Sequence, residues 1–251
     1  MRKFGIIGCP LKQSFSGAFF NEKFRSEGID AQYVNFEIPR IEDFPEVISE
    51  NPDLCGLNVT IPYKQQVIPY LDELDKNTAG IGAVNVIEVV RSPKGKVKLI
   101  GHNSDIIGFM DSIAPLLQPQ HTKALVLGTG GASRAVYHGL LNLGIEPQWV
   151  SRRKSSDDVL TYAELNEEVM SEHLVIVNCT PLGMYPKVDD CPDIPYSLIT
   201  ASHLLYDVVY NPEETIFLKR GREQGAITKN GTEMLLLQAY AAWDFWNGNS
   251  K

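Results

Sequence analysis

The sequence predicts an α/β protein of two domains, the second built on a doubly wound parallel sheet. Three observations predict it. Short apolar runs alternate with helix-period segments along nearly the whole chain; one such run, residues 124–127, breaks into clustered glycines and resumes as a helix; and 251 residues exceed the usual size of a single domain, with enough chain for two cores.

In the first part, residues 3–8 read as a strand, 17–27 as a helix, 32–38 as a strand, 41–50 as a helix and 54–59 as a third strand. Helical segments are expected from there to about residue 79. A hairpin follows, 83–90 and 96–100, turned through Pro93, Lys94 and Gly95. The helix 105–117 bridges to the second part, where Pro115, Pro119 and Gln120 thin the pattern, so the boundary is set near residue 103. Beyond it come strand 124–127, helix 132–143, strand 146–150, helix 162–170, strand 174–178 and a loop carrying Pro181, Pro186, Pro192 and Pro195. Strand 204–209, helix 213–223 and an apolar helix 231–246 complete the pattern. In an open parallel sheet, ligands collect at the carboxyl ends of the strands, here Gly128, Ser151, residues 178–180 and residues 209–211.

The glycine turn carries the first chemistry. Gly128 permits a sharp turn after the strand, and the missing Cβ at Gly130 lets backbone close on a phosphate at the helix N-terminus. The third small residue of the dinucleotide fingerprint falls at Ser133, with Ala135 close behind, so this is a variant of the Rossmann pattern. At the end of the next strand an NAD-binding protein carries an acid for the ribose hydroxyls. Here stand Ser151, Arg152, Arg153 and Lys154. A hydroxyl and three cations suit a 2′-phosphate, so the expected cofactor is NADP; the plainer alternative is a basic surface loop beside a structural turn.

Composition limits the rest. Lys+Arg 23 against Asp+Glu 31 gives a net charge of −8, which argues against nucleic acid and against a polybasic membrane surface. The apolar run 234–237 is broken by Gln238, too short to span a bilayer. Cys9, Cys55, Cys179 and Cys191 form no C-x-x-C pair, and no signal peptide is read, so free thiols in a reducing cytoplasm are expected. His102, His121, His138, His173 and His203 show no ligand spacing, and no metal is expected. Cys179 has no base partner in the sequence pattern and reads as a small apolar residue.

Four ordered stretches carry a family resemblance: residues 58–64 (NVTIPYK), 82–85 (GAVN), 128–131 (GTGG) and 178–184 (NCTPLGM). Together they resemble the shikimate dehydrogenases, from Gly8 to Gln238. The resemblance implies a substrate domain over 1–103, completed by a C-terminal helix 232–248. It implies an NADP-binding Rossmann domain over 104–231, with the active site in the cleft between the two. It also implies reduction of 3-dehydroshikimate to shikimate with NADPH in aromatic amino-acid (chorismate) biosynthesis, by a cytoplasmic monomer or homodimer whose partner is the small-molecule substrate alone. Two other readings stay open: a quinate/shikimate dehydrogenase of relaxed cofactor use, and a non-catalytic NADP-binding paralogue, against which the retention of both Lys64 and Asp105 speaks.

Residue by residue, Ser14 and Ser16 match the serine pair that binds the substrate carboxylate; read bare, Ser16 caps the helix starting at residue 17. Gly17 and Phe20 depart from the family pattern there. Lys64 matches the catalytic lysine. Pro62 suits a first helical turn, which would set Lys64 against the positive end of a helix dipole, while a surface lysine is the plain alternative. Asp105 matches the partner aspartate, with Ser104 and Ile106 replacing the usual threonine and glycine; read bare, it is an acid opening a helix. Thr60, Asn85 and Gln238 match contacts to ring hydroxyls and Tyr210 a tyrosine near the carboxylate, each also readable as a cap, a turn, a surface glutamine or a packed ring. On the cofactor side the resemblance implies Gly128, Thr129, Gly130, Gly131 and Ala132 at the pyrophosphate, and Ser151, Arg152 and Arg153 at the 2′-phosphate. Thr180, Leu182, Met184, Val208 and Gly231 fall beside the ribose and nicotinamide. Core packing is the plain alternative for Met184 and Val208.

Overall fold

Ala124, Leu125, Val126 and Leu127 are wholly buried, as an apolar strand covered on both faces must be. Around that strand the computed structural model, which describes residues 1–11, 15–154 and 156–249, builds one of two sheets. The chain divides into two units, Met1–Ser104 with Ala239–Lys251, and Asp105–Gln238.

The first unit runs β1 (Arg2–Gly8), α1 (Phe15–Ser26), β2 (Ala31–Glu37), α2 (Phe44–Glu50), β3 (Leu54–Val59), β4 (Glu73–Leu74), α3 (Lys76–Ala79), β5 (Val86–Arg91) and β6 (Val97–His102). Its sheet has the order β2-β1-β3-β5-β6-β4. β1 pairs parallel with β2 and β3, and the hairpin β5–β6 turns antiparallel beside β3. One face buries Ile7, Phe44, Leu54, Leu57, Val84 and Ile87. Against Phe4 packs Trp246, at 4.9 Å between ring centroids, and its indole N–H donates to the Ile87 carbonyl at 3.1 Å.

The second unit holds α4 (Asp105–Ile113), β7 (Lys123–Leu127), α5 (Gly131–Asn142), β8 (Glu146–Ser151), β9 (Val159–Thr161), α6 (Glu167–Glu172), β10 (Val175–Asn178), β11 (Leu204–Asp207), α7 (Ile216–Glu223) and β12 (Ile227–Lys229). α8 (Thr232–Trp246) contains the division between the units. All six strands are parallel, in the order β12-β11-β10-β7-β8-β9. Counted along the chain this is the dinucleotide-fold order 3-2-1-4-5-6, and it reverses between β7 and β10. A crevice opens at such a point because the two crossovers leave on opposite faces.

Several expectations need correction. Residues 41–50 are not one helix but a 3₁₀ turn at Ile41–Asp43 followed by α2. Residues 61–67 are not helical: Tyr63 N–H donates to Thr60 and Ile68 N–H to Gln65, three residues back, while the Lys64 carbonyl accepts from Val84 N–H at 2.7 Å. That carbonyl is committed to a neighbouring segment and is lost to any helical ladder. Helix 162–170 is a 3₁₀ turn at Tyr162–Glu164 and α6. α1 begins at Phe15, so Ser16 lies inside the helix and is not its cap. The edge strands β4, β9 and β12 were not expected. Among the described residues no helix is long and apolar enough to cross a membrane, and no group of three or more His, Cys, Asp or Glu could hold a metal ion.

Candidate active site

At the reversal point, β7 ends in Gly128 with φ +104, a conformation that a side chain would strain. A Cβ there would also stand 3.1 Å from the Thr180 methyl and 3.4 Å from the Cys179 carbonyl, so the loops after β7 and β10 touch through this glycine. Gly130 differs. A Cβ on it would meet no protein atom within 4 Å, so packing does not demand a glycine, and the space above it is open. Gly130 is the extended N-cap of α5, whose first-turn N–H groups have no carbonyl one turn earlier to take them. Thr129 is exposed and Gly131 and Ala132 half-buried at the same end. Ser133 turns inward, its hydroxyl donating to the Gly130 carbonyl at 2.6 Å.

The end of β8 presents Ser151, then Arg152 and Arg153, both exposed. Lys154 is committed elsewhere, to Glu164 at 3.2 Å. Hydrogen bonds from Thr161, and after them Lys154, hold the Glu164 carboxyl down to about 2. Two of the three cations thus remain for an anion.

Beyond β10 and β11 the loops are joined by side chains. Asn178 Nδ2 donates to Asp207 Oδ1 at 3.0 Å, and its Oδ1 accepts from Thr180 N–H at 3.0 Å and from the Thr180 hydroxyl at 2.6 Å. Asp207 also accepts from Val209 N–H at 3.0 Å and from the Thr215 hydroxyl at 2.6 Å. Burial pushes the Asp207 carboxyl up to about 7 against the pull of these three donors. Burial likewise pushes the Cys179 thiol well up, so that it stays neutral. Leu182 is half-buried beside these bonds and Met184 is exposed, which removes core packing as its explanation. Val208 packs at the edge of the core, and a Cβ on Gly231 would fall 2.2 Å from its carbonyl oxygen, so only glycine lets α8 start this close. Asn178 stands at one of the expected strand ends, whereas Asp207 and Thr215 were not among the expected site residues; the available signal was a lone acid ending the apolar run Leu204–Asp207.

The first unit carries a second polar chain. The Tyr33 hydroxyl donates to Asn58 Oδ1 at 2.7 Å and is hydrogen-bonded to Ser16; burial pushes its phenol well up. Asn58 Nδ2 donates to the Asn85 carbonyl at 3.3 Å, Asn85 Nδ2 to the Ser104 hydroxyl at 2.9 Å, and Ser104 N–H back to Asn85 Oδ1 at 2.7 Å. Thr60 follows β3, its N–H donating to the Ile7 carbonyl at 3.0 Å. The backbone bond from Val84 sets Lys64 beside the residue that precedes Asn85. Ser14 lies outside the described residues. In the second unit, Asp105 is the buried first residue of α4 and Tyr210 is exposed after β11. Gln238 is buried on α8, its amide donating to the Leu235 carbonyl at 2.8 Å.

Residues 6–87 match the family model described as "Shikimate dehydrogenase substrate binding domain". The chain is 37% identical over 270 residues to the shikimate dehydrogenase (NADP(+)) of Halothermothrix orenii, spanning 97% of this chain and 90% of the relative. Among solved structures, shikimate 5-dehydrogenase of Thermus thermophilus in complex with NADP(H) and shikimate superposes with a TM-score of 0.84 at 28% identity, covering 99% of this chain and 94% of that one. Quinate dehydrogenase of Corynebacterium glutamicum in complex with NAD superposes with a TM-score of 0.85 at 28% identity, over 98% and 94%. Identity above one third along nearly the whole length is with the NADP(+) enzyme. The chain therefore belongs to the shikimate dehydrogenase family.

Proposed function

We propose that this protein is an NADP-dependent oxidoreductase that reduces the C3 carbonyl of 3-dehydroshikimate to shikimate, a step of aromatic amino-acid biosynthesis. The observation that carries the reading is the likeness, over 97% of the chain, to a relative named shikimate dehydrogenase (NADP(+)). The cofactor fits the residues present. The open space above Gly130 at the α5 N-terminus suits a pyrophosphate, and exposed Arg152 and Arg153 with Ser151 suit a 2′-phosphate. The unit Asp105–Gln238 would hold NADP through Gly128, Thr129, Gly130, Gly131 and Ala132, with Thr180, Leu182, Met184, Val208 and Gly231 toward the nicotinamide.

NADPH, when bound, supplies the hydride; the chain handles the substrate and the proton. Ser14, Ser16 and Tyr210 hold the carboxylate, and Thr60, Asn85 and Gln238 pair with the ring hydroxyls, which in a dry site would be costly to leave unmade. Lys64 passes a proton to the C3 oxygen, or takes it in the reverse direction, and Asp105 accepts a hydrogen bond from the C3 hydroxyl of shikimate. Four free cysteines accord with a cytoplasmic protein, working as a monomer or homodimer.

The likeness to a quinate dehydrogenase bound to NAD keeps a second reading in view, a relaxed enzyme that also takes quinate and NAD. Against it stand two exposed arginines where an NAD enzyme places an acid. Initial rates with shikimate and with quinate, each with NADP+ and NAD+, separate the two. Turnover confined to shikimate and NADP+ is expected; comparable rates with quinate or NAD+ would move the protein to the second reading, and no turnover in any of the four would overturn both.

A further inference from the structure

Asp207 has no place in the proposed chemistry, yet it is fully buried at the end of β11 and receives donors from three separate segments. From β10 comes the Asn178 amide; from its own loop, Val209 N–H; from the start of α7, the Thr215 hydroxyl. Each donor is structurally committed. The Asn178 amide is oriented by this carboxylate: with Nδ2 on Asp207, its Oδ1 must face Thr180, where it takes both N–H and hydroxyl. The Thr180 hydroxyl in turn accepts from Leu182 N–H at 3.3 Å. Thr215 caps α7 by accepting from Leu218 N–H at 3.4 Å. So one carboxylate fixes the loop after β10, through Asn178 to Thr180 and Leu182, and the loop after β11, through Val209 and Thr215. A second, independent contact ties the same loops, from Tyr185 N–H to the Asn211 carbonyl at 3.1 Å.

We propose that Asp207 is a positioning residue for the cofactor, pinning the loops after β10 and β11 at the spacing the nicotinamide half of NADP requires. The inference rests on the reading of this unit as the NADP-binding one. It differs from plain stabilisation in what it predicts. A merely structural carboxylate, once removed, would lower stability and affect substrate and cofactor alike; a pin between these two loops weakens the cofactor and spares the substrate.

The test is NADPH affinity, from quenching of intrinsic tryptophan fluorescence, alongside KM for NADP+ and for shikimate. Asp207→Ala should raise both the NADPH Kd and the NADP+ KM about tenfold, as expected for losing one to two net hydrogen bonds, with the shikimate KM within twofold of the parent. Asp207→Asn should restore most of the affinity. Its oxygen can still accept from Asn178 and Val209 while its amide donates to the Thr215 hydroxyl. Where Asp207→Ala does not fold, Asn178→Ala replaces it; that variant leaves Asp207 bonded to Val209 and Thr215, removes the Asn178 amide that joins Asp207 to Thr180 and to the Leu182 carbonyl, and should show the same selective loss. A folded variant of either kind whose NADPH Kd stays within twofold of the parent, or whose shikimate KM rises as much as its NADP+ KM, would overturn the pin. Parent protein that binds NADPH without turning over shikimate would instead overturn the proposed reaction, leaving the Kd comparison to decide the role of Asp207.

Discussion

In the first unit Tyr33, Asn58, Asn85 and Ser104 are joined by neutral donors and acceptors, whereas in the second Asn178, Val209 and Thr215 converge on one carboxylate. Both clusters are buried, and Asn58, Ser104, Asn178 and Asp207 stand at or just past the ends of β-strands, where the ladder stops and the backbone must find other partners. The neutral chain matches hydroxyl to amide and amide to hydroxyl, and so places no net charge in the core. The carboxylate gathers three donors at once, which no single neutral side chain does as well, and in exchange puts an ionisable group where water is excluded. Neutral pairing thus fixes residues whose surroundings must not change with pH. A buried anion fixes more chain but makes its hold depend on protonation.

The largest expected effect lies on the neutral side. Lys64 is held by its carbonyl to Val84, next to Asn85, and is the group proposed to move the proton. Lys64→Ala should lower kcat by a factor on the order of 10³, within the range for loss of a general acid–base group, and raise the shikimate KM by less than about tenfold. Steady-state kinetics with NADP+ saturating would check it; a change confined to KM would reduce Lys64 to a binding residue.

Stability against pH sharpens the contrast between the clusters. Asp207 sits at about 7 in the folded protein against an ordinary carboxyl value of 3.8, so between these limits the folded state holds a proton that the unfolded state has lost. Its contribution to stability is fully present below about pH 4, declines as pH rises, and is gone above about pH 7. Asp207→Asn should flatten that decline in a series of thermal melts. Tyr33→Phe should behave oppositely. Burial keeps the Tyr33 phenol protonated well past neutrality, so losing its bond to Asn58 should cost about 1–3 kcal/mol by a constant offset and leave the slope of the parent in place. Equal slopes for the parent and Asp207→Asn would mean that Asp207 ionises normally.

What could be read in the sequence follows the reach of each signal. The turn at Gly128, the apolar run before it and the helix after it are local, and strand 124–127 was legible to within a residue because burial on both faces leaves an unbroken apolar run; strand 54–59 was legible as well, although Gly56 and Asn58 interrupt its apolar residues. The edge strands β4, β9 and β12 are two or three residues long, too short to show a period, and exist because β6, β8 and β11 offer an open side. The segment 61–67 was misread because proline and lysine give a helical signal locally, while the bond that decides its path comes from Val84, twenty residues on. Asp207 escaped notice for the same reason: its partners are Asn178 and Thr215, and nothing near it in the chain announces them. Ser16, Asn85 and Gln238 were singled out only through the family likeness, since a serine in a helix or a glutamine on one has no signature of its own.

The smallest expected effect concerns the exposed end of β8, where neither cluster reaches. Arg152 and Arg153 stand in solvent, unlike the buried donors around Asp207, and an arginine on a phosphate there forms charge-assisted bonds that water competes with. Arg152→Ala should therefore raise the NADP+ KM about tenfold, roughly one such bond, and leave kcat and the NAD+ KM nearly unchanged, since NAD lacks the 2′-phosphate. The effect should shrink as salt is raised, because the contact is screened, whereas the loss caused by Asp207→Ala should not. Lys154 supplies the internal control: already paired with Glu164, it has less to give a phosphate, and Lys154→Ala should move the NADP+ KM less than Arg152→Ala does. An NADP+ KM indifferent to Arg152 at low salt would mean that the 2′-phosphate is gripped elsewhere, and the preference for NADP would then have to come from the buried loops rather than from this exposed edge.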